Sequence, residues 1–101
     1  MTYRVVFAPE AEAQLIDLYR FIAEAAAPSI AAAYTEAIIR SCETLAHFPQ
    51  RGIARDDIRP GLRMTHFKKK TMIAYSIMDE TVAVIGIFYG GQDYGALLGG
   101  T

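Results

Sequence analysis

The sequence predicts an α+β domain in which a mostly antiparallel sheet carries a helical hairpin on one face. Three observations lead to this prediction. One β-rich segment opens the chain, two helical segments that each begin near a proline follow it, and three β-rich segments with short connections come last. The predicted order is therefore β-α-α-β-β-β. With 101 residues the chain has room for one core, so we expect a single domain over 1–101 with a flexible tail over 94–101.

The first strand and the first helix follow from residue types near the start of the chain. Residues 3–8 are β-branched or aromatic and are typical of a strand. Pro9 suits the first turn of a helix, and we expect that helix to run to about residue 26. Its apolar side chains recur at helical spacing, at Leu15, Leu18, Tyr19 and Ile22.

A second helix is predicted to begin at Pro28, because proline disfavours helical geometry in the residue before it. An apolar stripe then continues from Ile30 to Phe48 over five turns. Pro49 and Gly52 end the stripe. Since only two or three residues join the two helices, they are expected to lie back to back as an αα-hairpin.

The second half of the chain predicts a loop followed by a three-stranded meander. Segment 49–61 is rich in proline, glycine and charge and is predicted to be a loop. Segments 62–67, 71–78 and 81–89 are β-rich and are joined by short turns. Such short connections favour antiparallel neighbours.

The alternation of side chains along a strand predicts which residues share a face. Leu62 and Met64 are expected to face the core together with His66, and Arg63 is then expected on the open face of the sheet. The open face has no predicted element to cover it. An uncovered apolar sheet face indicates a protein partner or self-association.

Charge is distributed unevenly, although the net charge is −1. Residues 51–70 carry seven basic and two acidic side chains, whereas the segments before and after them are both acidic. This basic segment suits an anionic partner. A sequence pI of about 6.1 argues against a ribosome-binding protein, because such proteins are strongly basic.

Several other classes of protein are excluded by composition. No apolar run approaches the roughly 20 residues that a membrane span needs, and no signal peptide is recognisable. Cys42 is the only cysteine, so no internal disulfide can form, and His47 and His66 lack metal-ligand spacing. We therefore expect a cytoplasmic protein without a metal or a cofactor.

Several segments, taken in order, resemble one family over residues 3–94. The β-α-α-β-β-β order is shared, as is Arg63 ahead of the centre of its strand. The other shared stretches are Tyr3-x-Val5-x-Phe7-x-Pro9-x-Ala11, Phe48-Pro49-x-x-Gly52, Ile73-x-Tyr75 and Ile85-x-Ile87-Phe88-Tyr89-Gly90-Gly91-Gln92-Asp93. Together they resemble the ParE branch of the RelE/ParE toxin superfamily, the toxins of type II toxin–antitoxin modules, which are also called plasmid stabilisation proteins.

The resemblance implies a partner and one of two activities. The partner would be a ParD-like antitoxin, which binds operator DNA and wraps the toxin with its C-terminal segment. ParE-like members inhibit DNA gyrase by binding, whereas RelE-like members cut mRNA on the ribosome. Many relatives have a His followed by an Arg near the end of the last strand, where this chain has Tyr89 and Gln92. Since this difference removes groups that a nuclease needs, gyrase inhibition is favoured.

Two alternatives remain open at the level of sequence. A ribosome-dependent mRNA endonuclease would need a base, an acid and cations for the phosphate, and its candidates are Arg63, Lys69 and Tyr89. The other alternative is a relative that binds an antitoxin without being toxic.

Two sets of contact residues are predicted. Target or antitoxin contacts are expected at the basic segment and the later strands, at Arg63, Lys68, Lys69, Lys70, Tyr75, Tyr89 and Asp93. An apolar groove for the antitoxin is expected between the helices and the sheet, lined by Leu15, Tyr19 and Ile22.

Overall fold

The computed structural model describes residues 2–90. Their elements are two helices, a short 3₁₀ turn and five strands. In chain order these are β1 (Arg4–Phe7), α1 (Pro9–Ala25), α2 (Pro28–Glu43), the 3₁₀ turn (Thr44–Ala46), β2 (Ile53–Ala54), β3 (Leu62–Phe67), β4 (Thr71–Met78) and β5 (Thr81–Tyr89). The predicted α+β class is confirmed. The predicted flexible tail lies outside the described residues.

The five strands form one sheet in the order β1-β5-β4-β3-β2. Strands β2 to β5 pair antiparallel, which confirms the meander, and β1 pairs parallel with β5. Strand β2 was not predicted, because it has two residues inside the segment expected to be a loop. It is held at the sheet edge by pairing of Ile53 with Met64 and of Ala54 with Arg63.

The main core lies between the helical hairpin and one face of the sheet. Leu18 of α1 and Ile38 of α2 pack there against Ile73 and Tyr75 of β4. Strand β5 contains a bulge at Ile85. Ala74 pairs with Gly86 whereas the next residue, Tyr75, pairs with Val84, so Ile85 has no partner in β4. The bulge turns both even-numbered Val84 and odd-numbered Ile87 toward the helices, since one extra residue reverses the alternation of faces. This explains why the strand is apolar at nearly every position.

Leu62 and Met64 are buried, as predicted, but on the face of the sheet that lacks the helices. They pair with Ser76 and Ala74, whose neighbour Tyr75 is the residue that faces the helices. Because directly paired residues lie on the same face of a sheet, Leu62 and Met64 lie on the opposite face. The sequence pattern could not decide this, because both faces of β3 carry apolar residues.

The face without helices is itself partly buried. Leu62, Met64, Ala74 and Phe88 form a second cluster there, and Ile58 from the segment between β2 and β3 packs against it. The sheet therefore has apolar layers on both sides. Within residues 2–90 no helix has the length and hydropathy to cross a membrane.

Candidate functional site

The turn between β3 and β4 carries three consecutive lysines, Lys68, Lys69 and Lys70, which we call the lysine turn. Lys68 adopts a positive φ of 54° to close this turn. Its ammonium nitrogen lies 5.9 Å from the ring centroid of Tyr34 and 5.7 Å from that of Phe67. Both distances allow cation–π attraction. Lys68 therefore lies over the helix-bearing face of the sheet.

Four aromatic side chains cross the helix–sheet interface beside the lysine turn, and we call them the aromatic row. Phe21 of α1 lies 5.9 Å from Tyr89 of β5, Tyr89 lies 6.1 Å from Tyr34 of α2, and Tyr34 lies 5.4 Å from Phe67 of β3 (centroid distances). The tilted and edge-to-face angles are those that aromatic quadrupoles prefer. The Tyr34 hydroxyl also lies 2.7 Å from Oγ1 of buried Thr71, within hydrogen-bond distance. The row thus fixes the position of Tyr89 and Lys68.

The opposite side of the lysine turn carries a small cavity of about 130 Å³. Lys69, Lys70 and His66 line it together with Met72 and Phe88. The three lysines therefore surround the end of the sheet. Lys68 lies over the helix-bearing face, and Lys69 and Lys70 lie on the side of the second apolar cluster.

Arg63 was predicted on the open face, and this prediction was wrong. It pairs with Tyr75 on the helix-bearing face. Its Nη2 atom donates hydrogen bonds to the carbonyl oxygens of Gln50 (2.8 Å) and Gly52 (2.7 Å). Arg63 thereby fastens the segment before β2 to the sheet. It is also four residues from the end of β3, about 13 Å from the lysine turn at the usual rise of a strand.

Tyr75 was predicted as a contact residue, but its side chain is fully buried, with 0% exposed. Its hydroxyl accepts a hydrogen bond of 3.0 Å from the backbone N–H of Gly52. Tyr75 shares its face of β4 with Ile73 and Ile77, as the alternation of side chains along a strand predicts. That face is covered by α1 and α2.

The predicted groove residues divide between core and surface. Leu15 and Ile22 are half-buried against the main core, whereas 37% of Tyr19 is exposed. An open cavity of about 460 Å³ lies beside them, between α1 and the end of β5. Side chains that line it are Gln14, Asp17, Leu18, Phe21, Ile87 and Tyr89. Gln14 accepts a 2.7 Å hydrogen bond from the backbone N–H of Ile87 and so ties the two walls together.

Two ionisable groups away from the lysine turn have shifted pKa values. Burial, with a smaller effect from Glu43, raises the pKa of the Cys42 thiol to about 12, so the thiol is inert at neutral pH. The hydrogen bonds from Arg55 lower the pKa of the exposed Asp57 carboxyl. Among residues 2–90, no cluster of His, Cys, Asp and Glu is arranged to hold a metal ion. The predicted contact at Asp93 lies outside the described residues.

The family model for the ParE toxin of the type II toxin–antitoxin system, parDE, matches residues 5–94. The chain belongs to this family. The resemblance predicted from its sequence motifs is thereby confirmed. A search of curated protein sequences gives no significant match.

Two solved structures have the same fold as this ParE-family chain. A chain of the chromosomal ParDE toxin–antitoxin system from P. aeruginosa superposes with a TM-score of 0.78 at 16% identity, covering 88% of this chain and 97% of that one. A chain of the toxin–antitoxin complex RelBE2 from Mycobacterium tuberculosis superposes with a TM-score of 0.58 at 22% identity, covering 88% and 99%. At these identities the likeness concerns the fold.

Several residues of the site in this ParE-family chain were missed by sequence reasoning. Phe21, Tyr34, Phe67 and Thr71 join Tyr89 beside the lysine turn. Tyr34 lies within the apolar stripe predicted from Ile30 to Phe48, and alternation along β3 places Phe67 on the same face as Arg63, so the signal was present in part. Phe21 follows Leu18 at a helical spacing of three, which could have indicated a second wall of the helix facing the sheet.

Proposed function

We propose that this ParE-family chain inhibits DNA gyrase by binding to it, without a catalytic site of its own, and that a cognate antitoxin neutralises it. One observation carries the choice between binding and RNA cleavage. The three nuclease candidates, Arg63, Lys69 and Tyr89, do not converge on one point. Because acid–base catalysis needs its groups within hydrogen-bond reach of the same substrate atoms, their separation favours a binding toxin.

The separation of the candidates has a structural cause for each residue. Arg63 donates to two backbone carbonyls at the edge of the sheet. The Tyr89 ring packs between Phe21 and Tyr34 on the helix-bearing face. Lys69 lines the small cavity on the opposite side. The three side chains therefore lie at the sheet edge, on the helix-bearing face and on the opposite side of the lysine turn.

Binding of an antitoxin is supported by an apolar cavity and by the structural neighbours. The cavity beside Phe21 is about 460 Å³ and is lined largely by apolar atoms of α1 and β5. Phe21, which lines this cavity and is 57% exposed, extends its apolar surface outward. Both structural neighbours come from toxin–antitoxin systems. We assign the cavity beside Phe21 as the binding site for the apolar segment of a ParD-like partner in a hetero-oligomer. Leu15 and Ile22, which are half-buried against the main core, are not part of this site.

Induction of the protein in bacterial cells tests the proposal. Chromosome breaks and an SOS response with intact mRNA are expected, because a toxin that traps gyrase after it has cleaved DNA leaves the breaks unsealed. Co-expression of the acidic protein encoded by a neighbouring gene is expected to restore growth. Cleaved mRNA with an intact chromosome would instead support the endonuclease. Unchanged growth, with the folded protein present in the cytoplasm, would support a relative without toxicity.

A further inference from the structure

We infer that the lysine turn contacts the phosphate backbone of the DNA that gyrase holds. This inference deepens the proposed function and rests on it, because it requires gyrase to be the target. It assigns the lysine turn to nucleic acid and leaves the cavity beside Phe21 to the protein partner.

The charge of the lysine turn is not neutralised by the rest of the described chain. Across residues 2–90, Lys68, Lys69 and Lys70 have no carboxylate within ion-pair distance, whereas Arg55 is paired with Asp57 at 3.0 Å. The turn between β4 and β5 contains the acidic residues Asp79 and Glu80, and it lies at the opposite end of β4 from the lysine turn. The sheet thus has one cationic and one acidic end. An unpaired group of cations at one end suits an external anion.

The shape of the lysine turn favours a polyanion over a peptide. A peptide partner gains most of its affinity by burying apolar side chains in pockets. The cavity at Lys69 and Lys70 is about 130 Å³, whereas the cavity beside Phe21 is about 460 Å³. The lysine turn therefore offers charge with little apolar volume. Lysine ammonium groups bind phosphates well as point charges, and a row of phosphates requires nothing more of the protein.

The net charge of the chain explains why gyrase must supply the DNA. With a net charge of −1, the protein alone has little electrostatic affinity for a duplex. Three local cations add to binding when another protein already holds the DNA close to them. We therefore expect the contact to form within the toxin–gyrase–DNA complex and not with free DNA.

The sequence provides a sharp test, because residues 68–70 contain every lysine of the chain. A variant with Lys68→Gln, Lys69→Gln and Lys70→Gln removes three charges. A variant with Arg4→Gln, Arg20→Gln and Arg40→Gln removes three charges from exposed positions elsewhere and is the matched control. Thermal unfolding of both variants first establishes that they are folded.

The readout is the toxin concentration that half-inhibits gyrase, measured at two salt concentrations. Each phosphate contact steepens the fall of log affinity with log salt concentration by about 0.9. With three such contacts, wild type is expected to lose up to about 20-fold more potency than the lysine variant when salt is raised from about 50 to about 150 mM. The arginine variant is expected to behave as wild type. Equal salt dependence of wild type and the lysine variant, while wild type inhibits gyrase, would overturn the inference alone. A wild-type protein without any effect on gyrase would overturn both the inference and the proposed function.

Photo-crosslinking identifies the contacted molecule directly. A photoreactive amino acid at position 69, combined with gyrase and labelled DNA, is expected to yield a toxin–DNA adduct that depends on gyrase. An adduct with a gyrase subunit in place of DNA would overturn the inference and assign the lysine turn to protein. An adduct with the antitoxin, formed in the toxin–antitoxin complex and absent with DNA, would overturn it in favour of an acidic peptide. Because this measurement needs one substitution on an exposed turn, it does not depend on the triple variant being folded.

Discussion

The Nη2 atom of Arg63 lies 2.7 Å from the carbonyl oxygen of Gly52 and donates a hydrogen bond to it. The same nitrogen donates to the carbonyl of Gln50, and the N–H of Gly52 donates to the hydroxyl of Tyr75. These three bonds fasten the segment before β2 to the sheet. Arg63, which the sequence predicts as a partner contact, therefore also has a structural role in the fold.

Removing the guanidinium is expected to destabilise the protein. Arg63→Gln takes two charge-assisted hydrogen bonds from backbone carbonyls, so we expect the free energy of unfolding to fall by about 2–3 kcal/mol. Urea denaturation measures the change. Arg59→Gln, at an exposed position of the adjacent segment, is the control and is expected to stay within about 0.5 kcal/mol of wild type. A stable Arg63→Gln protein that had lost antitoxin or gyrase affinity would restore the contact role.

Gly52 is expected to tolerate no side chain. A Cβ atom at this position would lie 2.4 Å from the carbonyl oxygen of Met64, so Gly52→Ala requires the backbone to shift and is expected to cost about 3 kcal/mol. Gly61→Ala is an informative comparison, because a Cβ there meets nothing within 4 Å although φ is +79°. We expect it to cost about 1 kcal/mol through backbone strain alone. Equal losses in denaturation experiments would show that the close approach to Met64 is unimportant.

The Tyr34–Thr71 contact is expected to couple the second helix to the lysine turn. A double-mutant cycle with Tyr34→Phe and Thr71→Val isolates this hydrogen bond, because each variant keeps the shape of its side chain. We expect a coupling energy of about 1 kcal/mol, measured by denaturation. A coupling energy of zero would mean that the aromatic row positions Tyr89 through ring packing alone.

Phe21 is expected to be an antitoxin contact. It is 57% exposed and lines the cavity beside β5, whereas Ile30 is 55% exposed and lines neither this cavity nor the one at Lys69 and Lys70. Phe21→Ala is expected to weaken antitoxin binding at least about tenfold, as for an aromatic anchor in a pocket. Ile30→Ala, matched in exposure, is expected to leave the dissociation constant unchanged. Isothermal titration calorimetry distinguishes the two, and equal effects would remove the cavity from the interface.

Cys42 is expected to report on unfolding. Since burial raises its pKa from 9.0 to about 12, the native thiol stays protonated and unreactive at neutral pH. Alkylation is then expected to occur only as fast as the protein unfolds and exposes the Cys42 thiol. The folded state binds the proton more tightly, so its stability is expected to fall as pH rises above 9.0 toward about 12. Rapid alkylation of the folded protein at neutral pH would contradict this burial.

The sequence allowed all helices and strands of the fold except the short strand β2 to be predicted, but not which face of the sheet the helices cover. Proline positions and helical spacing determined the two helices, and their observed starts at Pro9 and Pro28 agree. Alternation along β3 correctly separated Arg63 from Met64. It could not tell which of the two faced the helices, because the second cluster buries Met64 almost as well as the main core buries Tyr75.

The candidate site was predictable only where residues lie close together in sequence. The lysine turn is contiguous and was recognised from its charge. The aromatic row joins four elements, and its contacts depend on the packing of α1 and α2 against the sheet. The role of Arg63 depends on Gly52, eleven residues earlier, through a segment that has no regular pattern.

Gyrase supercoiling by purified components tests the central claim most directly. Relaxed plasmid, gyrase and ATP are mixed with the wild-type chain, and mRNA cleavage on ribosomes is measured in parallel. We predict that supercoiling is inhibited with cleaved plasmid accumulating, that the antitoxin reverses the inhibition, and that mRNA stays intact. Full supercoiling at a saturating concentration of the folded chain, together with cleaved mRNA, would contradict the claim.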